Sequence, residues 1–158
     1  MVKFTSKQKS IERMDNMVLE EKKIKKICNF YVSEYHLEIM LLPYISKEID
    51  NEKNIYIITE KDLIESLNVV IDRINLDVRK KQKIKNLNWN NAETENIQGN
   101  SIVILVGSQG FINKKIFEIK EKNIEMIACY DYNEAKNNMC EIVSKYDVML
   151  NTLGINGI

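Results

Sequence analysis

Between Ser101 and Ile112 the chain reads Ser-Ile-Val-Ile-Leu-Val-Gly-Ser-Gln-Gly-Phe-Ile, and the period of its apolar positions changes halfway. Ile102 to Val106 is an unbroken apolar run, β-branched except at Leu105, which predicts a strand buried on both faces in the middle of a parallel sheet. After Gly107-Ser108-Gln109-Gly110 the apolar residues Ile112, Ile116, Phe117 and Ile119 fall at helical spacing. Strand, glycine turn, helix is how an open α/β sheet forms the rim of a ligand crevice.

The same alternation runs through the rest of the chain. Lys3 to Tyr31 carries Met14, Met17, Val18, Ile24, Ile27 and Cys28 at roughly helical spacing, predicting an amphipathic helix whose polar face holds Lys22, Lys23, Lys25 and Lys26. A second helix follows through Leu37, Met40, Leu41, Tyr44, Ile45 and Ile49, with Pro43 expected to kink or restart it. Asp50 to Asn54 is a polar connector and Ile55 to Thr59 a strand. Glu60-Lys61-Asp62 then opens a helix through Leu63, Leu67, Val70, Ile71 and Ile74. The basic cluster Arg79 to Lys85 is expected to be a solvated loop, leading into a short strand from Ile84 to Trp89, with Trp89 as a core anchor. Asn90 to Asn100 reads as a loop, Glu125 to Tyr130 as a strand, Asn133 to Lys145 as the last helix and Asp147 to Leu150 as the last strand. Alternating strands and helices predict one three-layer α/β domain with a mostly parallel sheet of about five strands flanked by helices. Its parts are an N-terminal amphipathic helix over 1–31, an α/β core over 32–152 and a frayed tail over 153–158.

Composition narrows the class of protein without naming its task. The 158 residues are 44% hydrophobic and 29% charged, which suits a single globular domain with a substantial core. The formal net charge is zero, so no global field draws the chain to nucleic acid or to an acidic membrane. Cys28, Cys129 and Cys140 are odd in number and lie among apolar neighbours, which argues for reduced thiols and a cytoplasmic location rather than a disulfide framework or zinc site. No apolar run is long enough to span a bilayer, so no membrane role is expected.

Candidate chemistry lies where the strands end. In an open sheet the polar residues beyond the carboxyl ends of the strands converge on one edge. Here these are Thr59 and Glu60, then Gly107, Ser108, Gln109 and Gly110, then Asp131 and Asn133, with Asn151 and Thr152 after the last strand. The amides of Gly107 to Gly110 could cradle an anion at a helix N-terminus, and Glu60 with Asp131 could act as acid and base or hold a hydrated Mg²⁺. The same residues are the usual turn formers of any α/β protein. His36, the single histidine, lacks a nucleophile-elbow partner and is expected to be a packed or surface residue.

The stretch Leu41-Leu42-Pro43-Tyr44-Ile45-Ser46-Lys47-Glu48-Ile49, a polar turn, Ile55-Tyr56-Ile57-Ile58-Thr59-Glu60 and a helix through Leu63, Leu67 and Ile74 resembles the RecA-like ATPase core, especially its KaiC-type members and the related MEDS sensory domains. The similarity covers about Tyr35 to Ile112. The chain departs from the ATPases at two places. Where their Gly-x-x-x-x-Gly-Lys-Ser/Thr phosphate loop belongs it has Asn29-Phe30-Tyr31-Val32-Ser33-Glu34-Tyr35-His36, without a glycine, and Gly107 replaces the Mg²⁺-holding aspartate. The resemblance therefore implies a degenerate, non-hydrolysing sensory domain, with no ATPase residues carried over.

Three functions remain open from the sequence. The first, and the one favoured, is a non-catalytic regulatory or sensory module that binds a small anionic ligand or a protein partner at the carboxyl edge of its sheet. The second is a Mg²⁺-dependent phosphoryl-transfer or hydrolytic enzyme using Glu60 and Asp131. The third is an oligomeric structural protein paired through its N-terminal helix. No catalytic residue, metal ligand or cofactor is assigned.

Overall fold

The computed structural model describes residues 25–87, 89, 94–151 and 154–157. Its strands are β1 Lys25–Tyr31, β2 Asn54–Thr59, β3 Ser101–Gly107, β4 Ile124–Asp131, β5 Val148–Asn151 and β6 Gly154–Gly157. They form one sheet in the order β2-β3-β4-β1-β5-β6. The first five strands in that row run parallel, and β6 closes the edge antiparallel to β5. The helices are α1 Glu34–Asp50, α2 Ile64–Arg73, α3 Val78–Lys85, α4 Gln109–Glu118, α5 Tyr132–Ala135 and α6 Met139–Val143. None of them is long and apolar enough to cross a membrane.

Two apolar layers cover the sheet. On one face Ile27, Ile57, Ile104 and Ile127 pack against Leu37, Leu41 and Ile45 of α1 and Leu67 and Ile71 of α2, with Ile84 of α3 and Trp89 at the margin. On the other, Cys28, Val103, Leu105 and Ala128 meet Ile112 of α4, Ala135 of α5 and Ile142 of α6. Every residue of β3 is buried, because it lies between β2 and β4 and has helices on both faces. The expected three-layer α/β architecture is what the chain forms, with Ile102–Val106 as an interior strand second in the row.

Five expectations need correction. Residues 25–31 form a strand and not the end of a helix: Ile27 and Tyr31 face one layer and Cys28 and Phe30 the other, a period of two. The rest of the proposed N-terminal helix, 1–24, lies outside the described residues, and so does Thr152. The basic cluster forms α3 and not a loop, and Ile84 and Lys85, the start of the expected Ile84–Trp89 strand, belong to that helix. Asp77 caps α3 by accepting from the Lys80 amide at 2.8 Å, and Lys80 and Lys85 reach Asp50 of α1 and Asp72 of α2 at 2.6 and 2.9 Å. Trp89 is nonetheless a core anchor, its indole donating to the Ile84 carbonyl at 3.0 Å.

The third correction is at the tail, where 154–157 pair with β5 instead of fraying. An uncovered β5 would present a row of unpaired amides and carbonyls, and β6 satisfies them. The fourth is the last helix, which is broken into α5, a 3-10 turn at Lys136–Asn138 and α6. Asn137 and Asn138 occupy the break, and asparagine side chains compete for backbone hydrogen bonds. Pro43 neither ends nor restarts α1, which runs through it as one helix. The carbonyl that loses its partner there belongs to half-exposed Ile39, where water can take the place of the missing amide.

The topology places a crevice. The chain leaves β1 through α1 on one face and leaves the adjacent β4 through α5 on the other. Neighbouring strands whose connections depart to opposite faces open a gap at their carboxyl ends.

Candidate functional site

A cleft of about 310 Å³ lies at that point, spanning the carboxyl ends of β1, β2, β3 and β4. Tyr31, Leu63 and Val106 give it an apolar floor, and Ser33, Glu34, Glu60, Lys61, Gly107, Ser108, Asp131 and Glu134 supply its walls. Four carboxylates thus face one ammonium group.

The sequence-predicted residues divide here. Glu60, Gly107, Ser108 and Asp131 line the cleft, whereas Thr59, Gln109, Gly110 and Asn133 do not. Thr59 donates its hydroxyl to the Trp89 carbonyl at 3.1 Å, and the Gln109 side chain accepts from Asn138 at 3.1 Å. Gly110 is exposed on the first turn of α4, and a Cβ there would have nothing within 4 Å. Asn133 contributes its amide to Asp131. Tyr31, Ser33 and Glu34 are not among the sequence candidates, because the apolar spacing of residues 24–28 matches a helix and hides a strand end at Tyr31. The signal was present in the apolar run Phe30-Tyr31-Val32 followed by a helix-capping serine and an acid.

Each polar group has a local task set by helix physics. The first amides of a helix lack intrahelical acceptors, and oxygen-bearing side chains at the N-cap satisfy them. Ser33 accepts from the His36 amide at 3.1 Å and caps α1. The Nδ1 of His36 in turn accepts from the Val32 amide at 3.2 Å, so the single histidine braces the β1–α1 turn. Ser108 caps α4 through the Phe111 amide at 3.3 Å. Asp131 caps α5 through the amides of Asn133 and Glu134 at 2.9 and 3.4 Å.

Glu60 decides what the glycine turn can hold. Its Oε1 accepts from the Ser108 amide at 2.8 Å, and its Oε2 lies 3.4 Å from the Ser108 hydroxyl. A side-chain carboxylate of the chain itself therefore sits at the start of α4, where an external anion would sit. Gly107 permits this approach: a Cβ at that position would lie 2.7 Å from the Phe111 ring and 2.9 Å from Glu60 Oε1.

The field in the cleft is negative. Burial pushes the Tyr31 hydroxyl well above the ordinary phenol range, and the charges of Asp131, Glu134 and Glu34 push it further in the same direction. Among the described residues no three of histidine, cysteine, aspartate and glutamate converge as metal ligands. No family model matches the chain, and no curated protein or solved structure is significantly similar to it.

Proposed function

We propose that the chain is a non-catalytic binding module that takes a partner at the carboxyl edge of its sheet. The observation that carries this reading is how the cleft's reactive groups are used. Ser33, Ser108 and Asp131 are engaged in capping helices, and Glu60 is bonded to Ser108, so the serines and carboxylates best placed for chemistry are already committed to holding the turns. The resemblance to degenerate RecA-like sensory domains agrees with it. At the place of their phosphate loop this chain has a two-residue turn, Val32-Ser33, between β1 and α1, with no glycine to let a phosphate approach the backbone. The four carboxylates favour a protein partner over the small anionic ligand of the sequence expectation, since an added anion would face like charges. Buried Cys28 and Cys129 and exposed Cys140 are all free thiols, which fits work in a reducing, cytoplasmic compartment.

The test is an amide-resolved NMR titration of the full chain with nucleotides, sugar phosphates and short peptides, with and without Mg²⁺, alongside an assay for turnover of the same compounds. The binding reading expects shifts at the amides of Ser33, Ser108 and Asn133 and no turnover. Turnover that disappears in Glu60→Gln or Asp131→Asn overturns it in favour of an enzyme.

A further inference from the structure

Next in sequence to residues that line the cleft, the chain exposes large apolar side chains. Val32 is 61% exposed, Tyr35 52%, Ile64 41% and Tyr132 37%. Each is the sequence neighbour of a residue lining the cleft, namely Ser33, Glu34, Leu63 and Asp131. They make up half of the eight large apolar residues exposed among the described residues. Single exposed apolar residues are ordinary, but several beside the walls of one cleft favour an interaction surface there. In the cleft wall beside them stand Glu34, Asp131 and Glu134, with Lys61 as the cation of the lining.

Building on the binding reading above, we propose that the cleft receives a basic, apolar-flanked segment of a partner protein. A lysine or arginine side chain enters among Glu34, Asp131 and Glu134, and the apolar residues beside it rest on Val32, Tyr35, Ile64 and Tyr132. Charge complementarity selects this occupant. A long flexible stem lets one cation reach carboxylates that do not converge closely enough to chelate a metal, and it buries its methylenes against the apolar floor. A guanidinium can also stack on the exposed rings of Tyr35 and Tyr132, the sequence neighbours of Glu34 and Asp131. An acidic segment would meet like charge on every side but that of Lys61. Two of the chain's own lysines in α3, Lys80 and Lys85, are bound to Asp50 and Asp72, and no residue of α3 lines the cleft.

The experiment uses the full chain and a short fluorescein-labelled peptide that alternates arginine with leucine. Two control peptides replace its arginines by glutamate or its leucines by serine. Fluorescence anisotropy should show binding of the arginine–leucine peptide that weakens with salt. Both controls should bind more weakly, the glutamate peptide not measurably. Glu34→Gln with Glu134→Gln should weaken the arginine–leucine peptide by about tenfold or more, as should Tyr35→Ser with Tyr132→Ser. All four positions are exposed, and each single variant serves if a pair does not fold. Equal binding by wild type and the glutamine pair overturns the proposal, as does equal binding of the serine control. If the glutamate peptide or a nucleotide binds instead and shifts the Ser33 and Ser108 amides, the partner class is wrong while the binding module stands. If no probe moves those amides, both readings fail.

Discussion

Glu38 is fully buried on α1, one turn below Glu34 of the cleft. Its Oε2 lies 2.9 Å from the Ser66 hydroxyl of α2, which is itself 3.2 Å from the Leu63 carbonyl, and its Oε1 has no partner. The Ser66 hydroxyl donates to Oε2, which by itself favours the ionised form. That single bond leaves an ionised Glu38 as a buried charge with Oε1 unsatisfied. Burial accordingly pushes the carboxyl up to about 7, with the charge of Glu34 acting in the same direction. A carboxyl raised in the folded state adds stability below its unfolded value, and that stability is lost as pH rises through the folded value. Thermal midpoints should therefore fall between about pH 5 and pH 8 by the equivalent of roughly 2–3 kcal/mol. Glu38→Gln should flatten that window and exceed wild type at its alkaline end; an unchanged slope in the variant would refute the assignment.

On the opposite face Tyr130 and Tyr146 share a buried hydrogen bond of 2.6 Å between their hydroxyls. Removing one hydroxyl orphans the other, so Tyr146→Phe should cost about 1–3 kcal/mol in chemical denaturation. Replacing both tyrosines by phenylalanine removes the orphan and should recover most of that loss; a double variant no better than the single would contradict this account.

At the scale of elements, what could be read from the sequence depended on how far local pattern agrees with tertiary context. β3 was legible because Ile102–Val106 is too apolar for any place but a sheet centre, and Ser108 announces the cap of α4. β1 was not, because Ile24, Ile27 and Cys28 match a helical period as well as they begin a strand. Pairing with β4 and β5 is what selects the extended form. Missing β1 removed Ser33 and Glu34 from the candidate site. α3 was obscured by its charge: Ile84 is its only buried residue, so no apolar stripe announced it.

The two glycines of the α4 turn looked equivalent in sequence, and the structure separates them. Gly107 has the Phe111 ring and Glu60 against it, so Gly107→Ala must push Glu60 off the Ser108 amide and should destabilise by about 1–3 kcal/mol. Gly110 stands in open space on a helix, where alanine should stabilise by about 0.5–1 kcal/mol. Thermal midpoints that shift in the same direction for both variants would contradict this division.

Across the whole molecule the sheet is tied unevenly. β1, β3 and β4 pair along their full lengths, whereas β5 meets β1 only at Ile27 with Val148 and Cys28 with Met149. Amides open by local unfolding at a free energy set by the contacts that must break, and the most deeply packed strands open only with the whole fold. Native-state hydrogen exchange should therefore find β3 and β4 the slowest, with β5 and β6 exchanging faster through a separate opening. The cleft is built at the ends of β1 to β4, and the described residues that line it come from those ends and the turns after them. Opening of the β5–β6 edge should leave the amides of Ser33 and Ser108 protected, and mild denaturant that accelerates β5 should not accelerate them. Exchange of β5 in step with β3 would mean that the sheet opens as one body, and that the edge and the cleft are coupled after all.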